Sequence, residues 1–299
     1  MHTVRFIGPG RAGSSLASAL AAAGWDVVGT LGRGQDPRRA AQGVDALVIA
    51  TPDDAVAGVA ASVEADPTTV VLHLSGSLGL DVLSPHPRRG ALHPLVPLPD
   101  PDDGARRLRA GVTFAVAGDP LATEMARALG GRAVAVADED RAAYHAAACI
   151  AANHVVALLG QVERVAATAG LDLDDFLGLT RAAVDDVARL GPRRALTGPA
   201  VRGDFATLAR HRDALAPEER PAYNAGVGLA LQLADGERSA GERSANRTTS
   251  GVAEVRSARV VPEVVMSEGW APEGTAAGDT GPAAGEGASA PGAVPATVG

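Results

Sequence analysis

The chain has 299 residues, 46% of them hydrophobic but only 3% aromatic, so the core of two modest domains must be built from Ala, Val and Leu. A formal net charge of −8 argues against nucleic acid as a partner, because phosphate binding needs a basic surface. The lone cysteine, Cys149, excludes an intrachain disulfide and a cysteine-only metal site, and the complete lack of lysine excludes P-loop, Schiff-base and lysine-acid chemistry.

Residues 4–7 (Val-Arg-Phe-Ile) read as a short buried strand. Gly8-Pro9-Gly10-Arg11-Ala12-Gly13 follows at once, and residues 14–23 then read as a helix ended by Gly24. Strand, glycine turn and helix in this order is the context in which G-x-G-x-x-G signals dinucleotide binding. Gly8 allows the tight turn, Gly10 leaves no side chain against a pyrophosphate, and Gly13 lets helix and strand pack closely. The plainer alternative is a glycine-rich strand-to-helix turn without a ligand.

Further strands are predicted at residues 25–31, 45–52, 69–75, 112–117 and 134–136, with helices at 53–63 and 121–129. Strands alternating with helices predict a Rossmann-type, doubly wound parallel sheet over residues 1–140. From Arg141 onward the strands stop. Ala-rich helical segments at 141–169, 172–190, 205–211 and 221–234 predict an all-helical domain over 141–235. Beyond Gly236 the composition shifts to Gly, Ala, Ser, Pro, Thr and Glu, and Gly-Glu-Arg-Ser-Ala is repeated back to back, which predicts a disordered tail over 236–299. The N-terminus enters a strand directly and no apolar run approaches a membrane span. A cytoplasmic protein without a membrane partner is therefore expected.

The end of the second strand reads Val27-Val28-Gly29-Thr30-Leu31-Gly32-Arg33 and carries no acid to hold a ribose 2′-hydroxyl. Arg33 sits where a guanidinium can meet a 2′-phosphate, with Arg11 and Arg38 or Arg39 adding charge. This favours NADP, with NAD as the alternative.

Four stretches are candidates for the chemistry. At Leu72-His73-Leu74-Ser75, Ser75 can hydrogen-bond a carbonyl or carboxylate, whereas His73 reads better as a strand histidine with a satisfied partner. At Leu92-His93-Pro94 the proline holds His93 extended, and histidine exchanges protons near neutral pH. A turn histidine is the plain alternative. His145, Cys149 and Asn153 are spaced four apart and so line one helix face, with His154 next in line. In Thr197-Gly198-Pro199-Ala200-Val201-Arg202-Gly203-Asp204, Arg202 can grip a carboxylate with two parallel hydrogen bonds, or the loop simply caps a helix through Asp204.

With these residues in view a family resemblance is plain. The glycine turn, Ala50-Thr51-Pro52-Asp53, His73-Leu74-Ser75-Gly76, Leu92-His93-Pro94-Leu95 and residues 197–204 resemble the bacterial family that pairs a Rossmann-like domain with a C-terminal domain of unknown function (DUF2520), over roughly residues 3–235. More distantly the chain is similar to ketopantoate reductase, pyrroline-5-carboxylate reductase, prephenate dehydrogenase and 6-phosphogluconate dehydrogenase. Ketopantoate reductases carry a helix lysine four residues before an asparagine; here Asn153 matches the asparagine and Cys149 replaces the lysine. His93-Pro94, His145, Asn153 and His154 reproduce a prephenate dehydrogenase spacing, with Asn for Ser.

The resemblance implies an NADP-dependent oxidoreductase acting on a small carboxylate-bearing carbonyl, imine or hydroxy compound, with a ketopantoate-like 2-oxo acid as the first substrate expectation. It also implies a homodimer. His93, His145, Asn153 and Ser75 are then the expected catalytic residues, and Arg202, Thr197 and His154 the substrate-holding ones. Gly8, Gly10, Arg11, Ala12, Gly13, Arg33, Thr51 and Pro52 are expected to hold the cofactor, and no metal is expected. The rival expectation is a non-catalytic NAD(P)-binding sensor.

Overall fold

The structure, a computed structural model, describes residues 1–245, with side chains through Asp235. The described chain packs as two units, Met1–Leu173 and a second beginning at Asp174.

The first unit is built on one seven-stranded sheet. Its strands are β1 (Thr3–Ile7), β2 (Asp26–Leu31), β3 (Ala46–Ile49), β4 (Val70–His73), β5 (Arg89–Pro94), β6 (Thr113–Gly118) and β7 (Arg132–Ala135), in the spatial order β2-β1-β3-β4-β5-β6-β7. The first five are parallel. β6 runs antiparallel to β5, and β7 runs parallel to β6. The doubly wound sheet expected from the sequence is therefore present, but its last two strands are reversed.

Burial explains why short strands suffice. Every residue of β3 and β4 is buried, so each side chain adds to one of two cores. Phe6, Val48, Leu72, Leu92 and Phe114 join Leu16 and Leu20 of helix α1 (Arg11–Ala22) on one face. Ile7, Leu47, Ile49 and Val71 join Val56 of α2 (Asp53–Ser62) and Leu83 on the other. Neighbouring residues of one strand point to opposite faces, so a continuous apolar run is what a doubly covered sheet demands.

Two elements of this unit are absent from the sequence reading, β5 and helix α3 (Pro101–Leu108). α3 is polar but well started. Asp100 caps it by accepting from the backbone of Asp102 and Asp103, and Pro101 sets its first turn. It packs on α1 at Gly104, where a Cβ would overlap the Ser15 hydroxyl. Helix α4 (Pro120–Ala128) follows β6. The predicted helix at 141–169 is a longer helical run made of α5 (Arg141–Cys149), a π-helical turn (Ile150–His154) and α6 (Val155–Ala167). With the preceding turn it forms a 30-residue stretch, Asp138–Ala167, long and apolar enough to cross a membrane by length and composition alone. That corrects the expectation that no apolar run reaches this length. Ile150, Val156 and Leu158 are more than half exposed on it.

The second unit contains α7 (Asp174–Leu190), α8 (Pro192–Ala195), α9 (Pro199–Arg202), α10 (Phe205–Ala214) and α11 (Arg220–Ala245). Its core joins Ala200, Leu208, Val227 and Leu231. α11 continues through residues 236–245, so both copies of the repeated pentapeptide are helical where the sequence predicts the disordered tail to begin. The rest of that predicted tail, 246–299, lies outside the described residues.

Candidate functional site

Register places the carboxyl ends of five parallel strands on one sheet edge. Ile7 pairs with Leu31 and Ile49, Ile49 pairs with His73, and His73 pairs with Ala91. The segments that follow these residues therefore emerge side by side, which is where α/β sheets bind ligands.

The glycine turn occupies one end of this edge. Gly8 has φ +104°, and a Cβ there would lie 2.6 Å from the Ala50 carbonyl oxygen, so only glycine fits. A Cβ on Gly13 would overlap the Gly8 carbonyl oxygen and come within 2.9 Å of the Ala50 Cβ. Gly10 differs: a Cβ there would meet nothing within 4 Å. It is the N-cap of α1, no side chain caps that end, and the first turn carries no acid. Its amide groups and partial positive charge thus open onto free space, the environment an anionic pyrophosphate needs.

Arg11 and Ala12 form the first turn beside that space, with Arg11 exposed. Arg33 is exposed just past β2. Arg38 is already engaged by Asp36 at 2.7 Å, which offsets its charge. At the end of β3 the Thr51 hydroxyl is buried without a partner, and Pro52 opens α2. A bare amide cradle, an open face and an orphan hydroxyl on one edge fit a dinucleotide.

Further along the edge is a histidine cluster. His93 Nδ1 lies 2.6 Å from the Tyr144 hydroxyl, and its ring meets those of Tyr144 and His145 edge-on, with centroids 5.6 and 5.7 Å away. Gly76 fills the notch between the two histidines. A Cβ there would lie 2.5 Å from His145 Cδ2 and 3.0 Å from His93 Nε2. Cys149 Sγ is 3.9 Å from His145 Nε2, one helical turn along α5.

The loop carrying Gly76 is tied from three sides. Ser75 donates its hydroxyl to Asp53 (2.7 Å) and accepts from the amides of Ser77 and Leu78, both at 3.1 Å. Its one donor and two acceptor sites are thereby filled, so it shapes the loop and has nothing left to offer a substrate. His73 is fully buried with Nε2 on the Gly79 carbonyl at 3.2 Å, as a strand histidine would be. Arg141, also fully buried, donates from Nη2 to the Ser75 carbonyl at 3.0 Å. No role for Arg141, Tyr144, Gly76 or Asp53 follows from the sequence alone. The available signal was the spacing of Arg141, Tyr144 and His145 on one face of the first turn of α5.

Asn153 and His154 fall in the π turn and are exposed, and no hydrogen bond joins either to His93. The wider π coil breaks the simple four-residue spacing on which the shared face was expected. In the second unit Gly198 and Gly203, both at positive φ, bracket the single helical turn of α9. Thr197 and Arg202 are exposed at its two ends, and Asp204 caps α10 through the Thr207 amide.

Burial, reinforced by neighbouring positive groups, lowers the proton affinity of His73 and His93 to about 4. Both are neutral at pH 7. The unfolded chain binds more protons than the folded one between about pH 4 and 6.5, so stability is complete above that window and falls as the pH drops through it. We expect a loss of a few kcal/mol by pH 4, on the scale of about 1.4 kcal/mol per pH unit and group. Urea unfolding across this range checks it; flat stability would contradict the burial of these rings.

Residues 110–228 match the model of the family described as Domain of unknown function (DUF2520). No curated protein matches the chain in sequence. Among solved structures, a provisionally named NADP oxidoreductase from Bacteroides fragilis shares the fold (TM-score 0.63, 18% identity, 77% of this chain and 98% of that one). So does protein TM1727 from Thermotoga maritima (TM-score 0.62, 22% identity, 79% and 99%). Pyrroline carboxylate reductase from Plasmodium falciparum, solved with NADP bound, aligns at TM-score 0.52 and 13% identity over 78% and 98% of the two chains. Residues 110–228 are thus similar to the DUF2520 domain, and the chain as a whole has a Rossmann-like α/β fold.

Proposed function

We propose that the protein is an NADP-dependent oxidoreductase acting on a small carbonyl, imine or hydroxy compound that bears a carboxylate. The observation that carries this reading is the shared sheet edge: the open amide cradle of Gly8–Gly13 and the His93–Tyr144–His145 cluster lie on it together. Bound NADPH would supply hydride at its nicotinamide ring. The bare amides of the α1 N-terminus hold the pyrophosphate, and exposed Arg11 and Arg33, with no acid at the carboxyl end of β2, favour NADP over NAD. His93 moves the proton, with His145 beside it. Substrate binding is the role proposed for Arg202 and Thr197 in the second unit and for His154 in the first, and orienting the reacting atom is that proposed for Asn153. Nothing in this geometry singles out a ketopantoate-like acid within the class.

A second copy of the chain is the proposed partner, because the exposed Ile150, Val156 and Leu158 on a long apolar helical run call for a cover. A sedimentation mass near twice 29.9 kDa supports it, and a monomer speaks against it. The activity test is NADPH oxidation with a panel of 2-oxo acids and cyclic imino acids. Turnover with a carboxylate-bearing member and none with its ester supports the reading. Tight cofactor binding without turnover on the whole panel would instead identify a sensor.

A further inference from the structure

The cluster contains a buried positive charge. Arg141 is fully buried, yet its Nε and Nη1 have no hydrogen-bond partner. Asp138 offsets part of its charge, but a buried guanidinium with two unfilled donors is costly, and its presence calls for a function. The nearby acids are committed to the loop: Asp138 accepts from the Leu80 amide at 2.9 Å, and Asp53 holds Ser75 and Ser77. His73 reaches the same region from β4, and His145 from α5. Tyr144 is three residues beyond Arg141 on α5, hence on the same helix face. Its hydroxyl is held 2.6 Å from His93 Nδ1, while His93 Nε2 has no hydrogen bond and faces the notch at Gly76.

We propose that Tyr144 and Arg141 form a proton relay behind His93, a role that rests on the oxidoreductase reading. Tyr144 donates to Nδ1, which fixes the proton of the neutral imidazole on Nε2. In the reductive direction the substrate oxygen or nitrogen gains an electron pair as its carbon accepts hydride from the reduced nicotinamide dinucleotide. The Nε2–H bond then breaks as the new O–H or N–H bond forms. The phenolic O–H breaks as Nδ1–H forms, so His93 stays neutral and Tyr144 carries the negative charge. Arg141 offsets that charge until water returns a proton to the phenolate. A neutral imidazole is too weak an acid to give up its proton unaided, which is why the second proton matters. Tyr144 and Arg141 act through His93 and are positioning residues. Burial raises the pKa of Tyr144 and the nearby Arg141 opposes that rise, which is the sign the relay requires.

Two readouts on the full chain decide the matter without turnover. Long-range nitrogen–proton spectra at pH 7, assigned with His93→Gln, should show His93 as the Nε2–H tautomer, and Tyr144→Phe should shift its Nδ1 signal while NADPH affinity stays within twofold. The chain has two tyrosines, so in a Tyr223→Phe background phenolate absorbance reports Tyr144 alone. Arg141→Gln should move that ionisation to higher pH, and Arg141→Lys, which keeps the charge, should move it less. Should Arg141→Gln fail to fold, the tautomer measurement decides alone. An Nδ1–H tautomer, or phenolate ionisation indifferent to the charge at residue 141, overturns the relay. Failure of the parent to bind NADPH instead sinks the oxidoreductase reading.

Discussion

Gly10→Glu should reduce NADPH affinity by two to three orders of magnitude and leave thermal stability unchanged. The two halves of this expectation have separate causes. Gly10 is the turn glycine whose replacement meets no protein atom, so the fold has no reason to suffer. A glutamate at the start of α1 even sits favourably against the partial positive charge of that helix end. The same carboxylate fills the space in front of the uncapped amides and repels a pyrophosphate. Two unit charges about 4 Å apart near a protein surface repel by roughly 4 kcal/mol, and each 1.4 kcal/mol is a factor of ten in binding. NADPH fluorescence titration alongside thermal unfolding measures both. Equal affinity in variant and parent would remove the phosphate from this turn. Gly13→Ala makes a useful contrast, because its Cβ collides with the Gly8 carbonyl and must cost stability as well.

In Gly76→Ala, turnover should fall about a hundredfold while the cofactor binds as before. The added methyl would lie 2.5 Å from His145 Cδ2 and 3.0 Å from His93 Cε1 and Nε2, too close for the rings to stay where they are. Moving His93 also breaks its hydrogen bond to Tyr144, and misplacing a reacting group by about 1 Å costs on the order of a hundredfold in rate. The cofactor cradle follows β1, two strand spacings or about 10 Å from β4, after which Gly76 lies, and is untouched. The effect should appear in kcat rather than in NADPH affinity. Unaltered turnover with the rings shown to be displaced would dissociate this cluster from the chemistry.

The cofactor half of the site was legible because its signal is local. A buried strand, glycines at fixed spacing and a helix start are consecutive in the chain, and each glycine has its own steric reason. His93 and His145 were legible as residue types near strand and helix ends. What joins them was not. Gly76 comes from the loop after β4, His93 from β5 and Tyr144 from α5, and only the sheet register brings these distant segments together. β5 itself escaped because Arg89-Gly90-Ala91-Leu92-His93-Pro94 is short, holds a glycine and ends in proline, all of which weaken a strand pattern. The reversed direction of β6 and β7 left no mark in hydrophobic periodicity, since strand direction does not alter which residues are buried. Ser75 misled for a physical reason: a serine at a strand end serves a substrate and a turn equally well, and here three internal hydrogen bonds claim it.

Calorimetric titration of the purified chain with NADPH tests the central claim most directly. Saturable binding at one site per chain, weaker for NADH and abolished in Gly10→Glu, is the predicted result. No detectable binding of either nucleotide at millimolar concentration would contradict it.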